Sequence, residues 1–131
     1  MKIMLDTNVL ISGFVFGGRI GRLLFRLFET NHEIYISEYV ENEFIDKIYE
    51  KFPAKAEKAS QIFKKFSFRR FPSTSKITMS MDDRDDIQIL NDAIEMKVDI
   101  LVTGDDDFHR LDIEKPIIMK PRELADFLGI E

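Results

Sequence analysis

The chain has 131 residues, 44% of them hydrophobic and 33% charged, with a net charge of −5 and no cysteine. That length supports one hydrophobic core, and the absence of cysteine excludes disulfides, thiolate metal sites and a cysteine nucleophile, so any metal must be held mainly by oxygen. No apolar run approaches the roughly 20 residues needed to cross a bilayer, and a strand begins within a residue or two of the N-terminus, so a single cytoplasmic domain over residues 1–131 without a signal peptide is expected.

Ile3 to Leu5 reads as a buried strand that breaks straight into Asp6, Thr7 and Asn8. Asn8 to Phe14 and Arg22 to Glu29 read as helical turns broken by Gly17 and Gly18, and Glu33 to Ile36 as a second strand. Ser37 is placed as a helix N-cap, because its hydroxyl can accept from the free N–H groups of the next turn. Val40, Phe44 and Ile48 recur every four residues, so a helix from about Glu38 to Tyr49 buries one stripe and carries Glu43 on its shoulder. Pro53 starts another helix, to about Phe66, with Ala56, Ala59, Ile62, Phe63 and Phe66 as its apolar positions and Lys55, Lys58 and Lys65 around the other side. A third strand falls near Phe68 to Phe71 or Lys76 to Met79.

The second half repeats the alternation. Arg84 to Met96 is expected as a helix with Ile87, Leu90, Ala93 and Ile94 inward and Asp83 as N-cap. Asp99 to Thr103 and Pro116 to Met119 follow as strands, and Pro121 opens a last helix through Leu128 that Gly129 stops. Strands separated by helices imply a parallel sheet with right-handed crossovers.

Four acids stand where apolar segments end or turn inward: Asp6, Glu43, Asp86 and Asp105. Each has an ordinary explanation. Asp6 can cap a helix, Glu43 can pair with Lys47 at i+4, Asp86 sits in a first helical turn where the dipole favours a carboxylate, and Asp105 and Asp107 can be turn residues. Asp86 is nevertheless aligned with Leu90 and Ala93, and so faces the sheet. If the first strand and the Asp99 strand are neighbours across a topological switch point, Asp6 and Asp105 meet at one edge, the start of the Asp86 helix lies over it, and Glu43 reaches it from the second helix. Carboxylates gathered there without matching cations repel, which a divalent ion relieves; all-oxygen ligation favours Mg²⁺ or Mn²⁺ over Zn²⁺.

Charge is unevenly spread. Residues 47–76 carry nine basic side chains against two acidic, and residues 77–131 six against fifteen. A basic segment beside an acidic one matches a phosphate-binding surface next to a metal site, and equally a solvated helical face. The candidates for nucleic-acid contact are Lys51, Lys55 and Lys58, with Arg19, Arg22 and Arg26 on one helical side. Phe63, Phe66, Phe68 and Phe71 can stack on bases, although their spacing fits core packing better. His32 and His109 fall outside the scheme.

Leu5 to Ser12, Ser37 to Glu43, Asp83 to Asp86 leading to Leu90 and Ala93, and Val102 to Phe108 together resemble the motifs of PIN domains, closing with a helix at Pro121 to Leu124. The resemblance spans almost the whole chain. One departure is Arg84, which stands where similar sequences commonly have proline. The resemblance implies a Rossmann-like three-layer fold, with a central parallel sheet of about five strands flanked by helices. It further implies a Mg²⁺- or Mn²⁺-dependent endoribonuclease of the kind found as toxins in toxin–antitoxin systems. Asp6, Glu43, Asp86 and Asp105 would then be the catalytic and metal-binding quartet, with Thr7, Asn8, Ser37, Asp83, Thr103 and Asp107 around them. RNA is the expected substrate, a cognate antitoxin and a second copy the expected partners, and Tyr39, Tyr49 and Phe52 the candidate aromatics for a subunit contact. A catalytically silent RNA-binding or antitoxin-binding module is the alternative. An aspartyl-phosphate mechanism at Asp6 wants a second acid two residues on, where Asn8 stands.

Overall fold

Ile3, Met4 and Leu5 are fully buried, as are Ile100, Leu101 and Val102. Consecutive strand residues escape water only when both sheet faces are covered, which is the condition of a parallel sheet clothed by helices. The computed structural model describes residues 1–130 and has this form. Five strands, β1 (Lys2–Leu5), β2 (Glu33–Ser37), β3 (Arg69–Phe71), β4 (Ile100–Val102) and β5 (Ile117–Met119), lie in the order β3-β2-β1-β4-β5, all neighbours parallel. The order reverses between β1 and β4, where Leu5 pairs with Val102, so the residues following these two strands emerge side by side.

The helices are α1 (Thr7–Ile11), α2 (Gly18–Leu27), α3 (Glu38–Lys51), α4 (Pro53–Phe63), α5 (Arg84–Met96), α6 (Asp106–His109) and α7 (Pro121–Leu128). Ser37 caps α3 by accepting from the Val40 amide, and Gly129 ends α7 at φ 69°, as their positions imply. None of these helices is long and apolar enough by itself to cross a membrane.

The structure departs from expectation in four places and decides a fifth that the sequence left open. α1 runs into a π-helical turn at Ser12–Phe16, which Gly17 and Gly18 close at φ 75° and 58°. A side chain on Gly13 would collide with Leu24, so the turn packs directly on α2. α4 stops at Phe63 rather than Phe66. The third strand is Arg69–Phe71, the first of its two expected positions, while Lys76 to Met79 lies in an irregular strap, residues 72–83, laid along α5. That strap covers the flank of α5 that carries Asn91 and Asp92, and both are buried; Ile89 is buried as well, whereas Ile87 and Ile94, expected inward, are half-buried. The short α6 follows from an aspartate cap, with too few residues to carry a periodic signal.

The aromatic residues are mostly core. Phe14 meets Phe44, Phe63, Phe66 and Phe68 edge-on at centroid distances of 5.2 to 6.2 Å, and Phe71 is buried beside Tyr35. Such packing removes them from base stacking.

Candidate active site and metal centre

Asp6 leaves β1 and is held from three sides. Its amide donates to the Val102 carbonyl at 3.0 Å; its carboxylate accepts from the Thr7 amide at 2.7 Å and from the Thr103 hydroxyl at 2.7 Å. Thr103, the residue after β4, is fully buried, and the same hydroxyl oxygen accepts from the Asp105 amide at 3.1 Å. One threonine thus ties together the acids that end β1 and β4. His109 Nε2 donates to the Thr103 carbonyl at 2.8 Å and so steadies that residue from below α6.

Asp105 caps α6 by accepting from the Asp107 amide. Asp83 caps α5 by accepting from the amides of Asp85 and Asp86. Asp86, one turn in, is buried. Carboxylate oxygens of Asp86, Asp105 and Asp107 lie within 4.8 Å of one another. Asp6 and Glu43 are outside that tightest group, yet the charges of Glu43 and Asp105 are both felt at Asp6.

Crowding and burial carry an electrostatic cost for the acids. Burial, opposed by the bonds from Thr103 and Thr7 and reinforced by the charges of Glu43 and Asp105, pushes the Asp6 carboxyl up to about 6. Burial followed by the charges of Asp105, Asp83 and Asp6 pushes Asp86 up to about 7. Among the described residues no lysine or arginine forms an ion pair with Asp6, Asp86 or Asp105; Asp107 pairs with Arg110 at 2.8 Å and Glu43 with Lys47 at 3.7 Å. The hydroxyl oxygen of Thr7, the residue after Asp6, is buried with no hydrogen-bond partner. A set of crowded, uncompensated oxygen donors plus an unsatisfied hydroxyl fits a hard divalent cation such as Mg²⁺ or Mn²⁺.

Each supporting residue now has a place. Thr103 orients Asp6 by its side chain, whereas Thr7 does so by its amide. Ser37 is buried and acts on α3, and Asn8 is exposed on α1. Glu43 pairs with Lys47, as its i+4 spacing allows, and its charge also acts on Asp6. Tyr39, a candidate for a subunit contact, donates its phenol to Asp85, which is exposed. Burial, that bond and the charges of Asp85, Glu43 and Asp83 hold the Tyr39 hydroxyl far above its ordinary range. Phe52 packs on Phe16, and Tyr49 alone of the three aromatics is free, at 48% exposure. His109 and Tyr39 were legible only as neighbours, four residues from Asp105 and Glu43 respectively.

Of the basic candidates, Arg19, Lys51, Lys55 and Lys58 are exposed, with Lys55 lying 5.4 Å over the Phe16 ring. Arg22 and Arg26 line an apolar groove of about 540 Å³ with Phe14, Phe16, Phe25 and Phe66, which includes none of the four acids. Arg69 and Arg70 are engaged by Glu33 and Glu41.

Residues 2–107 match the family model described as PIN domain. Two solved structures resemble the fold. A crystal structure of VapBC2 from Rickettsia felis bound to a DNA fragment from their promoter has a TM-score of 0.71 and 21% identity, covering 92% of this chain and 98% of that one. VapBC-1 from nontypeable Haemophilus influenzae has a TM-score of 0.64 and 16% identity, covering 93% and 99%. No curated protein matches the chain significantly.

Proposed function

The chain belongs to the PIN domain family, and on that premise we propose that it is a Mg²⁺- or Mn²⁺-dependent endoribonuclease, the toxin of a toxin–antitoxin pair. The observation that carries the proposal is the gathering of Asp6, Asp86 and Asp105 where β1 and β4 end, with Asp107 and Glu43 at their flanks and, among the described residues, no lysine or arginine paired with the first three. Helix capping accounts for Asp83 and Asp105 but gives no reason to bury Asp86 among other acids at an energetic cost.

Asp6, Asp86 and Asp105 would hold the ion, with Glu43 and Asp107 as further donors. Bound there, it supplies Lewis acidity toward a phosphodiester and toward water. The protein's part is to keep those oxygens oriented. Thr103 donates to one oxygen of Asp6 and the Thr7 amide to the other, so the carboxylate cannot rotate freely. Carboxylate oxygens of Asp86 and Asp105 lie within 4.8 Å of each other, and Asp86, pushed up to about 7, must lose its proton before it can serve as a ligand.

RNA would be gripped through phosphates by Lys51, Lys55, Lys58 and Arg19, contacts that give affinity without choosing a sequence. Hydrolysis leaving a 5′-phosphate and a 3′-hydroxyl is the expected outcome. An antitoxin partner is supported by the VapBC assemblies the fold resembles, and the phenylalanine-walled, arginine-lined groove beside α2 suits an apolar segment with acidic flanks. We assign the protein to the cytoplasm and expect a homodimer with Tyr49 at or near its contact.

Calorimetric titration with Mn²⁺ tests the reading. Binding in the millimolar range or tighter, abolished by Asp6→Ala together with Asp86→Ala, is expected. No binding, or binding indifferent to both substitutions, would leave a catalytically silent RNA- or antitoxin-binding module.

A further inference from the structure

Asp92 is fully buried on α5, lies outside the acidic cluster and has no ion-pair partner among the described residues. A carboxylate removed from water is tolerated only when its lone pairs are met. Three donors meet them: the Ser73 hydroxyl at 2.7 Å, the Thr74 amide at 2.8 Å and the Gln88 amide at 2.8 Å. Asn91, its neighbour, accepts from the amides of Thr78 and Met79 and donates to the Met79 carbonyl. Together these two side chains fasten the strap 72–83 to α5.

The strap does more than cover the helix. An ionised carboxylate only accepts, so Asp92 fixes the direction of the Ser73 O–H and leaves the Ser73 oxygen free to accept. It accepts from the Tyr39 amide at 3.0 Å. That amide is one of the unsatisfied N–H groups in the first turn of α3, and Ser37 caps another. Tyr39 and Glu43 are one turn apart on α3 and share a face. The Tyr39 phenol also reaches Asp85, next to Asp86. Two links therefore join the start of α3 to α5, one through Ser73 to Asp92 and one through the phenol.

We infer that Asp92 and Ser73 are positioning residues for the acidic site: their relay fixes the first turn of α3 against α5 and thereby sets Glu43 relative to Asp6 and Asp86. Neither residue touches the reacting groups. The inference rests on the divalent-cation reading of the acids. It adds the source of their spacing, which lies in a segment with no helix or strand.

The test is Mn²⁺ affinity by calorimetry on the full chain, in the wild-type and Glu43→Gln backgrounds. Ser73→Ala should weaken Mn²⁺ binding about tenfold with thermal unfolding still cooperative, and Ser73→Thr, which keeps the hydroxyl, should restore it. In the Glu43→Gln background Ser73→Ala should change affinity by less than about twofold, because the group it positions is gone. Asp92→Asn, which turns an N–H toward the Ser73 hydroxyl in one amide orientation and toward the Thr74 and Gln88 amides in the other, should give the same background-dependent loss. Unchanged affinity in Ser73→Ala, or an equal loss in both backgrounds, overturns the relay. If the wild type itself binds no Mn²⁺, the cation reading fails and this inference falls with it, an outcome distinct from the other two.

Discussion

The Thr103 hydroxyl donates to the Asp6 carboxylate at 2.7 Å, joining residues 97 positions apart in the sequence. Because Leu5 and Val102 are register partners in the two central strands, the bond spans the switch point of the sheet and closes it at the end where the acids gather. Its oxygen also takes the Asp105 amide, so a single buried hydroxyl orders both strand-end acids.

Replacing that hydroxyl by a methyl, in Thr103→Val, keeps the side-chain volume and removes the donor. We expect a loss of about 1–3 kcal/mol in the metal-free protein, read by denaturant unfolding, since a buried acceptor is left unmet. Mn²⁺ affinity should fall about 10- to 100-fold. Thr103→Ser should largely preserve both.

The metal-free protein should be more stable in mild acid than above neutrality. The ordinary carboxyl value of 3.8 is raised to about 6 at Asp6 and about 7 at Asp86, so the native state binds more protons than the unfolded chain between those values. Stability from these two acids therefore falls as pH rises through the interval from about 4 to 7. Thermal unfolding at about pH 5 and about pH 8 measures the difference, and Mn²⁺ should recover more stability at the higher pH, where protons no longer compete. A rise in stability across that interval attributable to Asp6 and Asp86 would contradict the account.

Asp86→Asn should separate stability from activity. It removes a buried charge that three other acids oppose, so the metal-free protein should gain on the order of 1–2 kcal/mol at neutral pH while RNA cleavage is lost. Differential scanning calorimetry paired with a cleavage assay shows both effects. Loss of stability together with loss of activity would instead make Asp86 a structural cap.

Reversing charge on the α3–α4 surface tests the RNA path. Lys51→Glu with Lys55→Glu and Lys58→Glu, all at exposed positions, should weaken RNA binding by roughly tenfold or more and lower the salt dependence of affinity by about one phosphate contact per lysine. Mn²⁺ affinity should stay the same. RNA binding that is indifferent to all three would move the substrate to another face.

The alternation of strands and helices was legible because apolar runs such as Ile3 to Leu5 and Ile100 to Val102 need cover on both faces, and because Ser37, Asp83, Pro121 and Gly129 mark helix ends by local chemistry. The meeting of Asp6 with Asp105 followed from the strand order. What stayed hidden depends on tertiary contact. Nothing in the periodicity of α5 distinguishes Asp92 from a surface acid until the strap is seen to lie across it. Tyr39 looked like an exposed aromatic because the partner of its phenol is 46 positions away. Ile87 was given the place that Ile89 takes, because the two isoleucines border opposite sides of the Asp86, Leu90 and Ala93 stripe and periodicity does not choose between them.

The most direct measurement is the pattern of 5′ ends produced when the purified protein is incubated with a pool of cellular RNAs and Mg²⁺ or Mn²⁺, sequenced beside an Asp6→Asn control. The account predicts new 5′-phosphate ends at recurrent positions with the wild type, lost on chelation and absent from the control. Equal cutting by both proteins would show a contaminating nuclease, and no cutting by the wild type under any divalent ion would contradict the assignment of Asp6, Asp86 and Asp105 as a catalytic site.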